Sequence, residues 1–230
     1  MPPKPKFSKD EIIRAAYEVA REDGIDAVVA RTVGKKLGTT ATPIFTFFSG
    51  MEELKEEVYQ KAKADCIAYL GECVRYFPAF KEFGLRWVRF AISQPHLFRL
   101  LFTDGSASAD VPDSLMREFS DVTGPVLRSI MTGFHLNEQD ARELFHQMIL
   151  HANGIAAFCM NHPGFWDEAE TSRLLSEACI GLVLAMQIRN GSFDRQTAEK
   201  MIAANPNAPV KIENTAGHTG LTDPITERGE

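Results

Sequence analysis

Side chains that could contact another molecule are concentrated in residues 39–48, TTATPIFTFF. Four threonines in this stretch each combine a hydroxyl, which donates and accepts hydrogen bonds, with a methyl group that makes apolar contacts. By propensity the stretch is typical of a strand interrupted by Pro43, because Thr, Ile and Phe favour extended structure. It lies, however, between two segments with clear helical periodicity. Its conformation must therefore be inferred from the elements on either side.

The sequence lacks the motifs that are typical of catalysis or metal binding. We find no GxSxG nucleophile turn, no HExxH helix and no phosphate-binding loop. His146 and His151 are five residues apart and do not share a helix face, which argues against a metal site. The four cysteines form no CxxC pair and are expected to be small buried hydrophobes. We therefore predict no enzymatic activity, no cofactor and no metal ion.

Basic residues are concentrated near the amino terminus. The whole chain carries a net charge of −6, which argues against a nucleic-acid partner. Residues 1–50 contain eight Lys and Arg against six Asp and Glu, a net charge of +2, so the rest must carry −8. Because of this distribution, a nucleic-acid partner remains an alternative for the basic head, residues 1–50. No window approaches the roughly 18 consecutive apolar residues that span a bilayer, and no apolar run opens the chain, so we expect a cytoplasmic protein.

Two helices precede the threonine-rich stretch. Ser8 and Glu11 have the spacing of a capping box, which predicts that a helix begins there, and Gly24 ends it. A second helix is predicted over about residues 30–37. Gly38 follows it and tolerates the positive φ of a helix stop.

The threonine-rich stretch itself fits a third, short helix. Thr40 is suited to the N-cap position, and Pro43 then falls in the first turn, where a missing backbone N–H costs nothing. Ile44 and Phe48 are four residues apart and can both pack on the first two helices. We therefore predict a helix of about two turns beginning at Ala41. Two short helices joined by Gly-Thr-Thr and laid against a longer one form a helix-turn-helix.

In a helix-turn-helix the N-terminal part of the second helix enters the major groove of DNA. Ala41, Thr42 and Thr46 are small or methyl-bearing and suit close approach to base edges and thymine methyl groups. Thr40 would lie near a phosphate, together with basic residues of the preceding helix. The predicted DNA-binding residues are Arg31, Lys35, Lys36, Thr40, Ala41, Thr42, Phe45 and Thr46.

The remainder of the chain is also predicted to be helical, so the fold class is all-α. A long linker helix is predicted from Met51 to about Phe77, where Pro78 would close it. Further helices are predicted over 79–93, 95–102, 114–132, 138–160, 168–190 and 195–203. We expect a helix-turn-helix DNA-binding domain over residues 1–50, a helical effector-binding and dimerisation domain over 51–203, and a flexible tail over 204–230.

Residues 33–54, VGKKLGTTATPIFTFFSGMEEL, resemble the signature of the tetracycline-repressor (TetR) family of bacterial transcriptional regulators. The resemblance covers about residues 8–60. It implies a ligand-responsive repressor that acts as a homodimer and releases a palindromic operator when a small effector binds. It also implies that helices 138–160 and 168–190 form a four-helix bundle with those of a second copy. An intramolecular hairpin that buries its own apolar face remains the alternative.

Four positions depart from the family pattern. Phe45 replaces a Tyr, and Met51 replaces a Lys, so two contacts to phosphate are lost. Gly34 replaces an Ala in the second helix, and Val29 replaces its polar cap. Phosphate binding must then depend more on other cations, which are Lys4, Lys6, Lys9, Arg31, Lys35 and Lys36.

The resemblance further implies a ligand pocket in the helical body, and an aromatic set is available to line it. An apolar or aromatic effector is then expected. The candidate ligand-binding residues are Trp87, Phe90, Met116, Phe119, Met148, His151 and Phe158. Two other functions remain open, an enzyme built on a helical bundle and a helix-turn-helix that binds proteins rather than DNA.

Overall fold

The computed structural model describes residues 7–103, 116–162, 164, 167–203 and, for the backbone alone, 210–211. The fold is all-α, as predicted. The structure also has two 3₁₀ turns, Ile25–Ala27 and Glu72–Arg75, and two short strands, β1 (Tyr76–Phe77) and β2 (Val210–Lys211). The α-helices are α1 (Lys9–Asp23), α2 (Ala30–Lys36), α3 (Ile44–Phe47), α4 (Met51–Gly71), α5 (Ala79–Ser93), α6 (Pro95–Phe102), α7 (Ser120–Phe134), α8 (Glu138–Asn161), α9 (Glu168–Arg189) and α10 (Arg195–Ala203).

Helices α1 to α3, most of α4 and α6 form one compact unit, whose described residues are 7–69 and 94–103. Ser8 accepts a hydrogen bond from the Glu11 amide, and Glu11 accepts one from the Ser8 amide, so the predicted capping box is present. Gly24 ends α1 with φ of 90°. The compact unit also includes residues beyond 50, the boundary predicted from sequence. Helix α6 packs on α1, and Glu57 of α4 pairs with Lys9 of α1.

The core of this unit follows the apolar positions of its helices. Ile12 of α1, Val33 of α2 and Ile44 of α3 are completely buried. The long helix α4 adds a stripe at intervals of four residues, which consists of Leu54, Val58, Ala62 and Cys66. At about 25 cal/mol per Å² of buried apolar area, such a stripe stabilises α4 far more than its intrinsic propensity does.

The linker helix is shorter than the sequence predicted. It ends at Gly71 rather than near Phe77, and a 3₁₀ turn, Glu72–Arg75, follows it. The residue before a proline is disfavoured in the helical conformation, so Phe77 is extended ahead of Pro78. Tyr76 and Phe77 then pair as β1 with a second strand instead of continuing the helix.

The second compact unit is built around α5 and contains residues 70–93 and the described residues after 115. Helix α5 packs against α7, α8 and α9. The ring centre of Phe83 on α5 lies 6.0 Å from that of Trp87 on the same helix and 5.7 Å from that of Phe145 on α8. A β-carbon at Gly84 would lie 3.3 Å from a methyl group of Leu175, so α9 approaches α5 closely at this point.

An ion pair is buried inside this unit. Glu82 and Arg86 are four residues apart on α5, and the Arg86 Nε–Glu82 Oε1 distance is 2.8 Å. Arg89 also contacts Glu82 at 3.2 Å and binds Glu168, at the start of α9, at 2.6 Å. The guanidinium carbon of Arg86 lies 5.4 Å from the ring centre of Tyr76. Removing one partner of a buried pair of this kind typically costs about 3–5 kcal/mol, because the other charge is left unpaired.

Helices α8 and α9 are joined by a polar contact at one end of their hairpin. The buried carboxylate of Asp140 accepts hydrogen bonds from Arg189 at 2.9 Å and from Asn190 at 2.7 Å. Among the described residues, α9 is also the helix that is long and apolar enough to span a membrane by length and composition alone. Its buried side chains pack on α5 and α8.

Part of the region predicted to be a flexible tail is paired. Val210–Lys211 forms an antiparallel ladder with Tyr76–Phe77, in which Tyr76 is opposite Lys211 and Phe77 is opposite Val210. The prediction of a flexible tail is therefore wrong at these two residues. Residues 204–209 and 212–230 lie outside the described structure.

We expect truncation after Ala203 to loosen the connection between α4 and α5, because β1 then loses its only strand partner among the described residues. Hydrogen exchange of a peptide covering residues 72–77 should accelerate, as measured by mass spectrometry. Exchange in α1 serves as the internal control and should stay unchanged. Unaltered exchange at 72–77 would show that β2 does not protect this connection.

Candidate nucleic-acid interface

Helix α2 begins without a polar cap but gains a partial replacement for one. The N-cap is Val29, as predicted, and its side chain cannot accept a hydrogen bond. The Val29 amide instead donates to the hydroxyl of Thr32 at 3.2 Å. This is one half of a capping box, with Thr in place of the usual Glu or Gln.

The end of α2 is a Schellman motif. Gly38 has φ of 68°, and its amide donates to the carbonyl of Lys35 at 3.1 Å. The amide of Thr39 donates to the carbonyl of Gly34 at 2.9 Å. These two bonds satisfy carbonyls that the helix end leaves free, and they turn the chain sharply toward α3.

Gly34 is required by the close approach of this turn. A β-carbon at Gly34 would lie 3.0 Å from both the carbonyl carbon and the carbonyl oxygen of Thr40, and 3.1 Å from the carbonyl oxygen of Thr39. These atoms belong to the backbone and cannot rotate away as the end of a long side chain can. The close approach is therefore a steric reason for Gly34 in place of the Ala that the TetR pattern has here.

The start of the third helix differs from the prediction. Thr40 is not an N-cap, and its hydroxyl contacts that of Thr42 at 3.3 Å. Residues 41–44 form a turn, in which the amide of Ile44 donates to the carbonyl of Ala41 at 3.1 Å. The N-cap of α3 is Pro43, and the helix ends at Phe47. The third helix is thus one turn long rather than the two turns predicted. The residues before Ile44 belong to the turn that connects α2 to α3, so they are not helical.

Two buried side chains hold α3 in place. Ile44 and Phe48 are both in the core, as predicted. The ammonium group of Lys9 on α1 lies 5.3 Å from the ring centre of Phe48. Phe45 points outward and is 53% exposed. The hydroxyl-bearing side chains Thr40, Thr42 and Thr46 are also exposed, and Ala41 is half-buried.

The cations of the head fall into two groups. Arg31 and Lys35 are exposed on α2 and have no ion-pair partner in the described part of the chain. Lys36 is paired with Glu22 of α1 at 2.6 Å, and Lys9 with Glu57 of α4 at 2.5 Å. Sequence reasoning missed both acidic partners, which are 14 and 48 residues away along the chain. Lys4 and Lys6 lie outside the described residues.

The start of α4 is stabilised by a carboxylate. Glu53 accepts hydrogen bonds from the backbone amide of Ser49 at 2.7 Å and from its hydroxyl at 2.8 Å. These bonds lower the pKa of the Glu53 carboxyl below its usual value. Met51, the first residue of α4, is half-buried and carries no charge, whereas the TetR pattern has Lys at this position.

The seven candidate ligand-binding residues do not share one environment. Trp87 is buried and donates its indole N–H to Asn153 at 2.8 Å, a partner that the sequence did not reveal. His151 is exposed, and its Nδ1 lies 3.0 Å from the carbonyl oxygen of Gln147. Phe158 is also exposed and stacks on His162. The other candidates are Phe90, Phe119 and Met148, which are buried, and Met116, which is half-buried. The structure thus places His151 and Phe158 on the surface rather than in an interior pocket.

The cysteines are buried and unpaired with one another, as predicted. Burial raises the pKa of both Cys73 and Cys179 to about 12, so these thiols are protonated at neutral pH. No cluster of three or more metal-binding side chains occurs within the described ranges.

Comparison with known proteins supports the fold. No protein-family model matches the chain, and no curated protein matches it. A solved structure that is similar is that of a transcriptional regulator from Rhodococcus sp. Rha1. Its TM-score is 0.51 at 17% sequence identity, and the alignment covers 78% of this chain and 97% of that one. At this identity the likeness establishes the all-α architecture that the two chains share.

We expect Gly34→Ala to destabilise the head, although Ala favours helices. Helix propensity would add about 1 kcal/mol of stability, whereas overpacking against the backbone of Thr40 typically costs about 1–3 kcal/mol. The expected net result is a loss of about 1 kcal/mol in the free energy of unfolding, measured with urea and circular dichroism. Gly133→Ala is the matched control, because a β-carbon there meets nothing within 4 Å. Equal effects of both substitutions would contradict the steric role of Gly34.

Proposed function

We propose that this protein is a DNA-binding transcriptional regulator of the TetR type, acting in the cytoplasm as a ligand-responsive homodimer. One observation supports this most strongly. Phe45 and Thr46 are exposed on the one-turn helix α3, and Thr40 and Thr42 are exposed in the turn before it. Buried Ile44 fixes this segment to a three-helix head. A rigid framework that presents small polar and methyl-bearing side chains on a short helix suits insertion into a major groove.

The proposed contacts divide into two classes. Ala41, Thr42 and Thr46 would read base edges and thymine methyl groups, and they supply the sequence preference. Arg31 and Lys35 would bind phosphates, because they are exposed cations without ion pairs in the described part of the chain. Phosphate contacts position the head and supply most of the salt-dependent affinity.

The proposed dimer uses the outer faces of α8 and α9. Leu150 on α8 is 62% exposed and Ile188 on α9 is 64% exposed. Exposed large apolar side chains on two adjacent helices are typical of a surface that a partner covers. Gly154 and Gly181 have open space where a side chain would be, which permits close approach of another helix. A second copy of the same helices would complete a four-helix bundle and give two heads for a palindromic operator.

The proposed effector is small and apolar or aromatic, and it would bind among the buried residues Trp87, Phe90, Phe119 and Met148. Asn153 is then available as a polar partner beside Trp87. An effector can release the operator only if it binds the DNA-free arrangement more tightly than the DNA-bound one. We propose that the protein is a repressor, as the resemblance to the TetR family implies.

One observation favours a second function. Phe45 and Val29 are large apolar residues that are both exposed on the helix-turn-helix, where charged or polar groups would suit DNA better. A head of this kind would also suit a protein partner. The two functions differ in their response to salt, because only phosphate binding releases counterions.

We expect the protein to retard a DNA fragment from the region upstream of its own gene in a gel-shift assay. Thr42→Ala should abolish the preference for this fragment over unrelated DNA, because the base-reading side chain is lost. Lys35→Ala should weaken binding to all sequences and reduce the slope of log K against log salt by about 0.9, since one phosphate contact is removed. The matched control is Thr103→Ala, because Thr103 is an exposed threonine at the end of α6. This variant should bind DNA as the unmodified protein does. Absence of any retarded complex at low salt would contradict the proposal.

We expect sedimentation at micromolar concentration to give a species of twice the 25.6 kDa chain mass. Leu150→Glu combined with Ile188→Glu should produce monomers, because two charges would be buried at the proposed interface. Ile202→Glu is the matched control, since Ile202 is 59% exposed but lies on α10. A monomeric unmodified protein, or a dimer that survives the double substitution, would contradict this interface.

A further inference from the structure

We propose that Glu22 limits the affinity of the head for DNA by occupying Lys36. The inference rests on the proposed function, since it concerns the same surface. Lys36 extends from the last turn of α2, and its ammonium nitrogen lies 2.6 Å from a carboxylate oxygen of Glu22 on α1. The two side chains are 37% and 41% exposed, so the pair lies at the surface and is accessible to a phosphate.

A carboxylate and a phosphate compete for the same ammonium group. A lysine in contact with Glu22 does not hold a counterion of its own and cannot bind a phosphate without losing that contact. If Lys36 does turn to a phosphate, the carboxylate of Glu22 loses this ammonium group, and its negative charge stays on the surface that faces the DNA. Both arrangements oppose binding.

The pair matters because α2 carries three cations, Arg31, Lys35 and Lys36. Among the described residues of α2, Arg31 and Lys35 have no ion pair, so Glu22 neutralises one of three cations. Lys9 is not a substitute, since it is paired with Glu57 and lies over the ring of Phe48. The hydrogen bond with Glu57 raises the pKa of Lys9, because this contact favours the charged lysine.

Glu18 provides a matched comparison on the same helix. It lies one turn before Glu22 and carries the same charge, but it pairs with Arg21 of α1 itself. Neutralising Glu18 therefore changes the net charge equally without releasing a cation of α2. A general charge effect would act on both positions, whereas competition for Lys36 acts at Glu22 alone.

The test measures binding of the full-length protein to two probes, the fragment retained in the gel shift and a duplex of mixed sequence. We expect Glu22→Gln to bind both probes about two- to fivefold more tightly at low salt, the range that corresponds to one exposed ion pair. The slope of log K against log salt should steepen by about 0.9, because Lys36 now replaces a counterion. Glu18→Gln should change neither quantity by a comparable amount.

A second pair of variants tests whether the effect passes through Lys36. Lys36→Gln should weaken the unmodified protein only slightly, because the side chain is already occupied. It should cancel the gain when it is combined with Glu22→Gln. A gain that persists in the double variant, or equal gains for Glu18→Gln and Glu22→Gln, would overturn the inference while leaving the proposed function intact. Failure of the unmodified protein to bind either probe would overturn both.

Discussion

The helix-turn-helix depends on one steric constraint, the absence of a β-carbon at Gly34. The backbone of Thr40 approaches α2 so closely that a β-carbon at residue 34 would lie 3.0 Å from its carbonyl group, and the turn would have to shift to admit it. The carbonyl of Gly34 also accepts the amide hydrogen of Thr39, so one residue provides both the space and a bond that closes the turn. Helix α3 is a single turn and cannot hold its own position by hydrogen bonding. Its location is set by this turn and by the burial of Ile44 and Phe48.

The helix boundaries that local chemistry determines could be predicted from the sequence. Ser8 with Glu11 begins α1 and Gly38 follows α2, because caps and glycine stops act within a few residues. The boundaries that depend on distant partners could not be predicted. Thr40 has the chemistry of an N-cap, yet the turn that follows α2 places it outside the helix. The end of α4 was missed because its connector pairs with a strand more than a hundred residues later.

The exposure of the threonines was predicted from a helix that only one of them belongs to. Thr46 lies on α3, whereas Thr40 and Thr42 are exposed because they lie in the turn before it. The ionic partners of the head are not visible in the sequence, because Glu22 and Lys36 meet only when α1 and α2 pack. The ligand-binding set stays a prediction, and its members do not share one environment. Aromatic residues on an all-helical body are found both inside and outside, and no local signal separates buried Trp87 from exposed Phe158.

The ladder between β1 and β2 joins residues 76–77 to residues 210–211. During synthesis β1 leaves the ribosome long before β2 does, so the connector after α4 remains without its partner until almost the whole chain has been made. Closing a loop of this length also costs more loop entropy than closing the short hydrogen-bonded ring of one helical turn. The head has a similar but shorter delay, since α6 packs on α1 across some seventy intervening residues. The order of translation therefore allows the head to be completed first and the connector that leads from α4 into the body to be completed last.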